Sequence, residues 1–410
     1  MMSRKVPMVL VLTCLGWAGC TEGGLEMKEG GRAPGKILTV DSAGDSGRHV
    51  TLELDLNDKV HMVYTDMTNK ALKYVTQSSA GFAISTVDDT CLDCSYSSMK
   101  MDAANEPHVI YYNGSNKTLT YAYRNQGKWL MEPIEWGQGT GMGAQLLIDE
   151  SGSLHALYYS GDGYLKHAWR VLRSPSQLAQ IKRDALKAAK AKAIAKARRD
   201  RKKGGASSKV VVADPPVGLW GNERVDKANG SEKVQISFVR QPNERLAASY
   251  FHWSGLSSEL RLAVQGEDGQ WGTEVVAFER NPGKSSALYF TSTGEPRMIF
   301  REARKDRLVL AESSMEGWKI TALVSKAYNL TLAHDATHNL IVAYEKMDGQ
   351  DPRKGHLCMA WRKSGLWTHF VVDPGQGSGS YLSGALTAAG VPIVAYFEER
   401  NKTLKIFIGE

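Results

Sequence analysis

The sequence lacks the features that mark several large classes of enzyme and membrane protein. It contains no Gly-x-Ser-x-Gly nucleophile elbow, no His-Glu-x-x-His zinc motif and no phosphate-binding glycine loop. Beyond the N-terminus, no apolar run approaches the roughly 20 residues that a membrane-spanning helix requires. The sequence therefore gives no support to a serine hydrolase, a metalloprotease, a nucleotide-binding protein or a polytopic membrane protein.

Cysteine is scarce as well, with five residues in a chain of 410. Cys91 and Cys94 have the spacing of a redox or zinc half-site, but no second Cys-x-x-Cys or His-x-x-x-His completes a set of four ligands. In an oxidising envelope compartment we expect these two cysteines to form a local disulfide instead. Cys358 lies within a strand-like run, which predicts a buried thiol. No metal or other cofactor is expected.

The N-terminus has the pattern of an export signal. Arg4 and Lys5 precede an apolar stretch over residues 6–15 that is too short to span a bilayer. Small residues then lead to Cys20, a pattern that resembles a bacterial lipobox. The resemblance implies that residues 1–19 are a lipoprotein signal peptide and that Cys20 carries the lipid.

The destination follows from the residues around that cysteine. Trp17 stands where the lipobox usually has Leu, so a plain signal peptide cut near Ala18 or Gly19 is the alternative. Position 21 is Thr and not the Asp that resembles an inner-membrane retention signal, which favours the outer membrane, on its periplasmic or its surface face. Residues 20–35 are rich in Gly and Glu and predict a flexible tether.

A strand-like apolar run that ends in an aromatic residue occurs seven times along the chain. The aromatic residues are Tyr64, Tyr111, Tyr158, Tyr250, Phe300, Tyr344 and Tyr396, separated by 47, 47, 92, 50, 44 and 52 positions. A period in the forties with short strands and 40 glycines for tight turns is typical of a β-propeller, in which each repeat forms one four-stranded blade. We therefore predict an all-β, seven-bladed propeller over residues 36–410.

The first strand of this region resembles the end of a blade and not its beginning. Residues 36–41 end in Val-Asp, as do the fourth strands near Asp88 and Asp373, whereas the seventh repeat stops short of a fourth strand. The sequence therefore predicts that the N-terminal strand completes the last blade and closes the ring.

The one long step contains an insertion in blade three, over residues 173–214. Pro175 and Gly204 bound a segment rich in Ala, Lys and Arg, which predicts a solvated basic α-helix. Eleven basic residues against two Asp give this segment a charge of +9, whereas the whole chain carries +7. The basic residues are Lys182, Arg183, Lys187, Lys190, Lys192, Lys196, Arg198, Arg199, Arg201, Lys202 and Lys203.

Such a segment attracts anionic polysaccharide, lipopolysaccharide or an acidic envelope protein. Nucleic acid is not expected as a partner because no aromatic residues are interleaved for base stacking. The alternative is a solubilising loop without a partner.

Three histidines occupy the same repeat position, namely His61, His108 and His155. They could line a metal or anion site. The alternative is a hydrogen-bonded residue of the repeat, because the other blades have Ala, Arg or Ile at this position.

The Pro-His-Val-Ile-Tyr-Tyr run at 107–112, the Leu-Thr-Tyr-Ala-Tyr run at 119–123 and a recurring Gly-x-Trp corner, as at Trp129, carry a family resemblance. They resemble the degenerate repeats of sialidase-like and fucose-lectin-like seven-bladed propellers of bacterial surface proteins. The resemblance implies the fold; it does not fix the function, because propellers include hydrolases, lyases, lectins and scaffolds.

Our leading hypothesis is a non-enzymatic binding or assembly platform, anchored through Cys20, with the basic segment as an electrostatic arm. A lectin is the alternative, with sugars bound between blades by aromatic and arginine side chains such as Trp129, Trp169, Arg170, Trp361 and Arg362. A second alternative is a sialidase-like, glycan-degrading enzyme. Against it, the sequence contains no Ser-x-Asp-x-Gly-x-Thr-Trp box, and the carboxylates of Asp88-Asp89 and Glu398-Glu399 are adjacent residues that point apart.

Overall fold

The computed structural model describes residues 25, 27–172, 176, 179–180, 182–184, 186–191, 218–228, 234–253, 258–279, 285–335, 339–347, 351 and 354–410. Within these residues the chain forms 29 β-strands. No helix in this part of the chain is long and apolar enough to cross a membrane.

The described strands form seven sheets of four antiparallel strands; six follow sequence order, the seventh takes its outer strand from the N-terminal segment, and one of the six gains a fifth strand that pairs in parallel. Blade 1 contains β3 (Ser46–Leu54), β4 (Val60–Asp66), β5 (Ala71–Ser78) and β6 (Gly81–Asp88). Blade 2 contains β7 (Cys94–Met101), β8 (Pro107–Asn113), β9 (Thr118–Asn125) and β10 (Lys128–Trp136). Blade 3 contains β11 (Met142–Ile148), β12 (Leu154–Tyr159), β13 (Leu165–Leu172) and β14 (Gly218–Asp226). Blade 4 contains β15 (Ser237–Arg240), β16 (Leu246–Trp253), β17 (Ser258–Gln265) and β18 (Trp271–Glu279).

Blade 5 contains β19 (Ser286–Phe290), β20 (Pro296–Glu302), β21 (Arg307–Ser314) and β22 (Gly317–Ser325). Blade 6 contains β23 (Ala327–His334), β24 (Leu340–Lys346), β25 (His356–Lys363) and β26 (Leu366–Asp373). Blade 7 contains β27 (Ser378–Leu386), β28 (Pro392–Glu398) and β29 (Thr403–Gly409). The all-β, seven-bladed propeller predicted from the sequence is confirmed.

The turn between the first and second strands of a blade is fixed by the side chain of its first residue. In blade 1 the Asp55 carboxylate accepts hydrogen bonds from the backbone N–H groups of Asn57 and Lys59, and Asp58 takes a left-handed conformation with φ of 58°. In blade 2 the Asp102 carboxylate accepts the same two backbone hydrogen bonds, and in blade 3 Asp149 accepts one from the backbone N–H of Ser153 and one from the Ser151 hydroxyl. These turns of blades 1 to 3 are therefore stabilised by local hydrogen bonds within the turn itself.

The core consists of seven clusters of buried apolar residues among the described strands, each lying between two consecutive blades. Between blades 7 and 1, for example, Met62 and Tyr64 pack against Ala395 and Ile406. The repeated aromatic residues of the second strands lie in these clusters. The aromatic residue that recurs along the sequence therefore forms the contact between neighbouring sheets.

Each of five repeated tyrosines also donates a hydrogen bond to a carboxylate at the end of the outer strand of the preceding blade. The pairs are Tyr64 with Asp41, Tyr111 with Asp88, Tyr158 with Glu135, Tyr250 with Asp226 and Tyr396 with Asp373. These bonds join successive blades at the rim of the ring.

The N-terminal segment supplies two further strands. β2 (Gly35–Asp41) pairs antiparallel with β29 as the outer strand of blade 7. β1 (Met27–Arg32) pairs parallel with β26 and is the fifth strand of blade 6. The prediction of a flexible tether over residues 20–35 is therefore wrong for residues 27–32, because their backbone pairs with a sheet edge that would otherwise be open.

The insertion in blade three joins β13 to β14, whose ends pair at Leu172 and Gly218. Helical backbone is described at residues 176, 179–180, 182–184 and 186–191. The side chains of Lys182, Arg183, Lys187 and Lys190 are exposed there. Other parts of the predicted helix, including Lys192 to Lys203, lie outside the described residues.

Candidate functional site

The first strands of the blades surround a cavity of about 490 Å³ on the axis of the ring. All seven blades contribute residues to its wall. A concave space that combines apolar, hydroxyl, amide and carboxylate groups is the usual form of a ligand site. We therefore take this axial cavity as the candidate functional site.

One side of the axial cavity is aromatic. The ring of His49 lies 4.6 Å from that of Tyr381 and 5.5 Å from that of Tyr96, measured between centroids. The three rings come from the first strands of blades 1, 7 and 2, and each is half-buried. They form one continuous aromatic wall.

The backbone is strained where it presents these rings. His49, Tyr96 and Tyr381 have φ values of 52°, 54° and 50°, in the left-handed region that side chains other than glycine rarely adopt. Each lies within a β-bulge of its strand, and Gly143 takes the corresponding conformation in blade 3. Strain of this kind is found at binding and active sites, where it fixes the direction of a side chain.

The opposite side of the axial cavity is polar, with Gln235 of blade 4 and Asn329 of blade 6 in its wall. Ser285 donates a hydrogen bond of 3.0 Å to the side-chain oxygen of Gln235. At the far ends of the first strands, Lys100 of blade 2 pairs with Glu53 of blade 1. The charges of that pair neutralise one another.

Glu345 is the most unusual residue of the wall. Its side chain is only 1% exposed, and one carboxylate oxygen accepts a hydrogen bond of 2.7 Å from the amide of Asn329. The other oxygen, Oε1, is buried and has no hydrogen-bond partner among the described residues. Burial, the largest influence, raises the pKa of Glu345 to about 7 against the lowering effect of the Asn329 hydrogen bond, and the negative charge of Glu399 adds to the rise.

Two neighbours complete this corner of the axial cavity. Glu399 lies 3.8 Å from the guanidinium of Arg48, which stacks over the ring of Phe397 and pairs with Asp45 at 2.8 Å. Burial and the charge of Arg48 lower the pKa of His49 to about 4, so this imidazole is neutral at neutral pH. The corner thus contains two carboxylates, the Arg48 guanidinium and a neutral aromatic wall.

The three repeated histidines lie away from the axial cavity, in hydrogen-bonded structural pairs. His61 contacts the Tyr74 hydroxyl at 2.5 Å and the Asp55 carboxylate at 3.3 Å, and His108 makes the same contacts with Tyr121 and Asp102. His155 contacts His167 at 3.0 Å and Asp149 at 3.3 Å. Among the described residues no group of three His, Cys, Asp or Glu side chains is arranged to hold a metal ion. This geometry corresponds to the hydrogen-bonded alternative.

The candidate glycan-binding residues do not meet in one place. Trp129 packs edge-on against Tyr74 of blade 1, with ring centroids 5.4 Å apart. Trp361 lies in blade 6, 6.4 Å from Phe370, and its neighbour Arg362 is half-buried. The Gly-x-Trp corners thus fill the space between blades.

Trp169 and Arg170 are also engaged within the fold. Trp169 packs against His167 and leaves no room for a side chain at Gly221. Arg170 pairs with both carboxylate oxygens of Glu132 at 3.2 Å and lies over the ring of Tyr121.

The remaining sites predicted from the sequence are the cysteines and the adjacent carboxylate pairs. Cys91 and Cys94 form a disulfide in the loop between blades 1 and 2. Cys358 is a buried free thiol. Cys20 lies outside the described residues. In the adjacent carboxylate pairs, Asp88 accepts hydrogen bonds from Tyr111 and Asn113, and Glu398 accepts one from Asn401.

Sequence reasoning missed His49, Tyr96, Tyr381 and Glu345, although one signal was present for the last of them. The residue that follows the repeated aromatic is Thr, Tyr or Phe in five blades and Arg in blade 5, whereas Tyr344 is followed by an acid. A carboxylate at a position that is mostly aromatic indicates a local function.

No protein-family model matches the chain, and no curated protein matches it. Solved structures do match. YCF48 bound to D1 peptide is 13% identical, with a TM-score of 0.53 over 94% of this chain and 98% of that one. A protein of unknown function from Dyadobacter fermentans DSM 18053 is 10% identical, with a TM-score of 0.46 over 92% of this chain and 98% of that one. AofleA from Arthrobotrys oligospora is 11% identical, with a TM-score of 0.45 over 77% and 82%. The similarity to YCF48 supports the propeller fold and nothing further.

Proposed function

We propose that the chain is a lipid-anchored protein of the bacterial cell envelope that acts as a non-enzymatic binding platform and holds its ligand in the axial cavity. Cys20 is the proposed anchor and the outer membrane the proposed location. The observation that carries the binding role is the axial cavity itself, whose aromatic wall is held by strained backbone at His49, Tyr96 and Tyr381. The proposed closure of the ring by β2 keeps these strands in fixed positions.

The size and composition of the axial cavity suit a monosaccharide or one amino-acid side chain. Aromatic rings offer an apolar face, and the amides of Gln235 and Asn329 offer hydrogen bonds. YCF48, whose structure has a similar fold, is bound to D1 peptide, so a polypeptide ligand is compatible with this proposal.

A second role is favoured by the exposed basic residues described between 182 and 190. We propose that the basic segment, residues 182–203, attracts an anionic polysaccharide, lipopolysaccharide or an acidic envelope protein through charge alone. Such attraction decreases as salt is added, because the contacts are exposed and screened.

The proposal can be tested by measuring binding to a panel of envelope polysaccharides, neutral glycans and basic and acidic peptides. Four proteins are compared, each from Thr21 onward: the parent, a variant without residues 174–213, Tyr381→Ala and Trp129→Ala. We expect salt-insensitive binding that is lost in Tyr381→Ala, and salt-sensitive binding to polyanions that is lost with the insertion.

Other outcomes contradict the proposal in distinct ways. Loss of sugar binding in Trp129→Ala with full binding in Tyr381→Ala would favour a lectin with sites between blades. Turnover of a glycan would favour the enzymatic alternative. Binding that none of the three changes affects would exclude both proposed sites.

A further inference from the structure

The N-terminal segment is fixed to three consecutive blades, 5, 6 and 7. The N–H group of Leu25 donates a hydrogen bond of 3.1 Å to the carbonyl oxygen of Ala322, on the outer strand of blade 5. β1 then pairs with β26 of blade 6, and β2 pairs with β29 of blade 7. The segment therefore follows the rim of the ring from blade 5 to blade 7.

Side-chain contacts also hold the beginning of this segment. Leu25 and Met27 pack against the apolar cluster between blades 5 and 6. Glu29 pairs with His369 at 3.0 Å. The ring of Phe370 lies so close to Gly30 that a Cβ atom added there would approach it to 2.3 Å. The chain is thus held at the rim from Leu25 onward.

The proposed lipid anchor lies only five residues before this point. Residues 21–24, between Cys20 and Leu25, lie outside the described residues, but their number limits the distance that they can cover. An extended chain spans at most about 3.6 Å per residue, so the Cα atoms of Cys20 and Leu25 are at most about 18 Å apart. A free tether over residues 20–35 would allow about three times this distance. The rim of blades 5 and 6 is therefore held close to the bilayer that contains the lipid.

Exposed apolar side chains lie next to the point where the chain meets the rim. On β22, Ile320 is two residues from the carbonyl group that binds Leu25, and it is 44% exposed. On β26, Leu366 precedes the residue that pairs with Met27, and it is 62% exposed. Such side chains gain free energy when they enter the headgroup region of a bilayer.

Three exposed lysines lie on the strands around the same point. They are Lys28 on β1, Lys319 on β22 and Lys363 on β25. The acids on these strands and on β21 and β26 are paired within the fold, namely Glu29, Glu312 and Asp373. Glu316, in the turn before β22, is the exposed acid beside them. Three lysines against one exposed acid give this surface a positive charge, which attracts anionic lipid headgroups.

We infer that the rim of blades 5 and 6 rests on an anionic phospholipid surface, with Ile320 and Leu366 at the headgroups and the lysines in contact with lipid phosphates. This inference rests on the proposed function, since it requires the lipid on Cys20. It gives the ring one fixed edge at the membrane, because the linker of residues 21–24 is too short to let another edge take its place.

The experiment uses the full chain in its lipidated form, isolated from bacterial membranes and reconstituted in vesicles of phosphatidylethanolamine and phosphatidylglycerol. Some of these lipids carry a nitroxide on the headgroup, which quenches a nearby fluorophore. The fluorophore is attached in Leu366→Cys or in the control Lys128→Cys, which has the same position in the Gly-x-Trp corner of blade 2, three blades further around the ring. Cys358, the free thiol in the described part of the chain, is buried and does not compete for the label.

We expect the label at position 366 to be quenched at least about twofold more than the label at position 128, because a compact domain of this length is about 50 Å across. Reversing two lysines at the rim, in Lys28→Glu with Lys319→Glu, should remove most of this difference, since the rim would then repel the headgroups. Reversing two exposed lysines of turns in blades 1 and 2, in Lys59→Glu with Lys117→Glu, should leave it unchanged.

Equal quenching of the two labels would overturn the inference, and so would a difference that survives the reversal of Lys28 and Lys319. The proposed anchor fails separately, because flotation in a density gradient tests it. The parent should float with the vesicles and Cys20→Ala should not. Flotation together with equal quenching would leave the lipid anchor in place and exclude only this rim as the contact, whereas a parent that does not float would exclude the anchor and the inference with it.

Discussion

The hydroxyl of Tyr111 donates a hydrogen bond of 2.6 Å to Asp88, which lies on the preceding blade. Tyr111→Phe removes this bond and leaves a buried carboxylate with one partner fewer, so we expect a loss of about 2 kcal/mol in the free energy of unfolding. Tyr344 is a matched control: it has the same repeat position, but its hydroxyl lies beside the Cys358 thiol and has no carboxylate partner among the described residues. Tyr344→Phe should leave stability unchanged, and chemical denaturation of both variants checks the difference. Equal losses would show that the hydroxyl bonds contribute nothing beyond packing.

Glu345 should reduce the stability of the native protein as the pH rises. Its pKa is raised from 4.5 to about 7, so between these values the native state binds more protons than the unfolded state. The free energy of unfolding contributed by this residue therefore falls as the pH rises from 4.5 to 7, by an amount on the order of 3 kcal/mol. We expect Glu345→Gln to be more stable than the parent at pH 8 and equal to it near pH 4.

Denaturation at the two pH values tests this, with Glu398→Gln for comparison. Glu398 accepts hydrogen bonds from the Asn401 side chain and from two backbone N–H groups, so its replacement should destabilise the protein at pH 8. A Glu345→Gln variant that is less stable than the parent at pH 8 would show that the carboxylate is already satisfied.

At the scale of single residues, the sequence predicted which residues repeat but not which side chains they contact. The aromatic series was visible because identical environments recur along the chain. The carboxylate partners were also regularly placed, since Asp41, Asp88, Glu135 and Asp373 each lie 23 positions before their tyrosine. The bond crosses from one sheet to the next, so its meaning appears only once the blades are arranged around an axis.

Strands β1 and β2 lie next to each other in sequence but have different structural consequences. β2 covers the outer edge of β29 and presents Asp41 to Tyr64 of blade 1, whereas β1 adds to a blade that already has four strands. Removing residues 1–32 should therefore lower the midpoint of thermal unfolding but leave a folded protein with the elution volume expected for the oligomeric state of the parent. Removing residues 1–41 should expose the edge of β29, open the contact between blades 7 and 1, and cause aggregation.

Circular dichroism and size-exclusion chromatography of the two truncated proteins distinguish these outcomes. If the shorter protein folded as well as the longer one, closure by β2 would not stabilise the ring. The substitution Asp41→Asn in the full chain is a smaller change. It should weaken the contact between blades 7 and 1 without removing strand β2.

At the scale of elements, sequence periodicity predicts most strands because each blade alternates apolar runs with turns that cap themselves through residues such as Asp55. β1 was not predicted because its sequence, Met-Lys-Glu-Gly-Gly-Arg, lacks the β-branched and aromatic residues that indicate a strand. Its pairing is imposed by the open edge of β26. Tertiary context and not local preference decides this element.

At the scale of the whole molecule the sequence period determines the number of blades, whereas the axial cavity depends on seven strands that are distant in sequence. Most of the wall comes from a few residues in or beside the first strand of each blade, and these vary from blade to blade, whereas Glu345 and Glu399 come from the second strands of blades 6 and 7 and their ends. The repeat signal comes from what the blades share. The residues that line the axial cavity differ from blade to blade and give no repeat signal. The ring of blades could therefore be predicted from the sequence, whereas the axial cavity could not.

The insertion in blade 3 can be removed to test whether its charge contributes to binding independently of the propeller fold. It leaves and rejoins blade 3 where Leu172 pairs with Gly218, so its two ends are adjacent strand ends and a short loop can connect them. Replacing residues 174–213 by Gly-Ser-Gly-Ser should therefore leave the denaturation midpoint of the propeller nearly unchanged, because loop length affects closure entropy only weakly. The same change removes twelve basic residues and two Asp, a charge of +10, and turns a chain of +7 into one of about −3. Retention on a cation-exchange column should fall accordingly, while Tyr381-dependent ligand binding stays at the level of the parent.

Two outcomes would contradict this prediction. Loss of Tyr381-dependent binding when the insertion is removed would mean that the two proposed sites act as one. A large fall in stability would mean that the insertion packs on the ring.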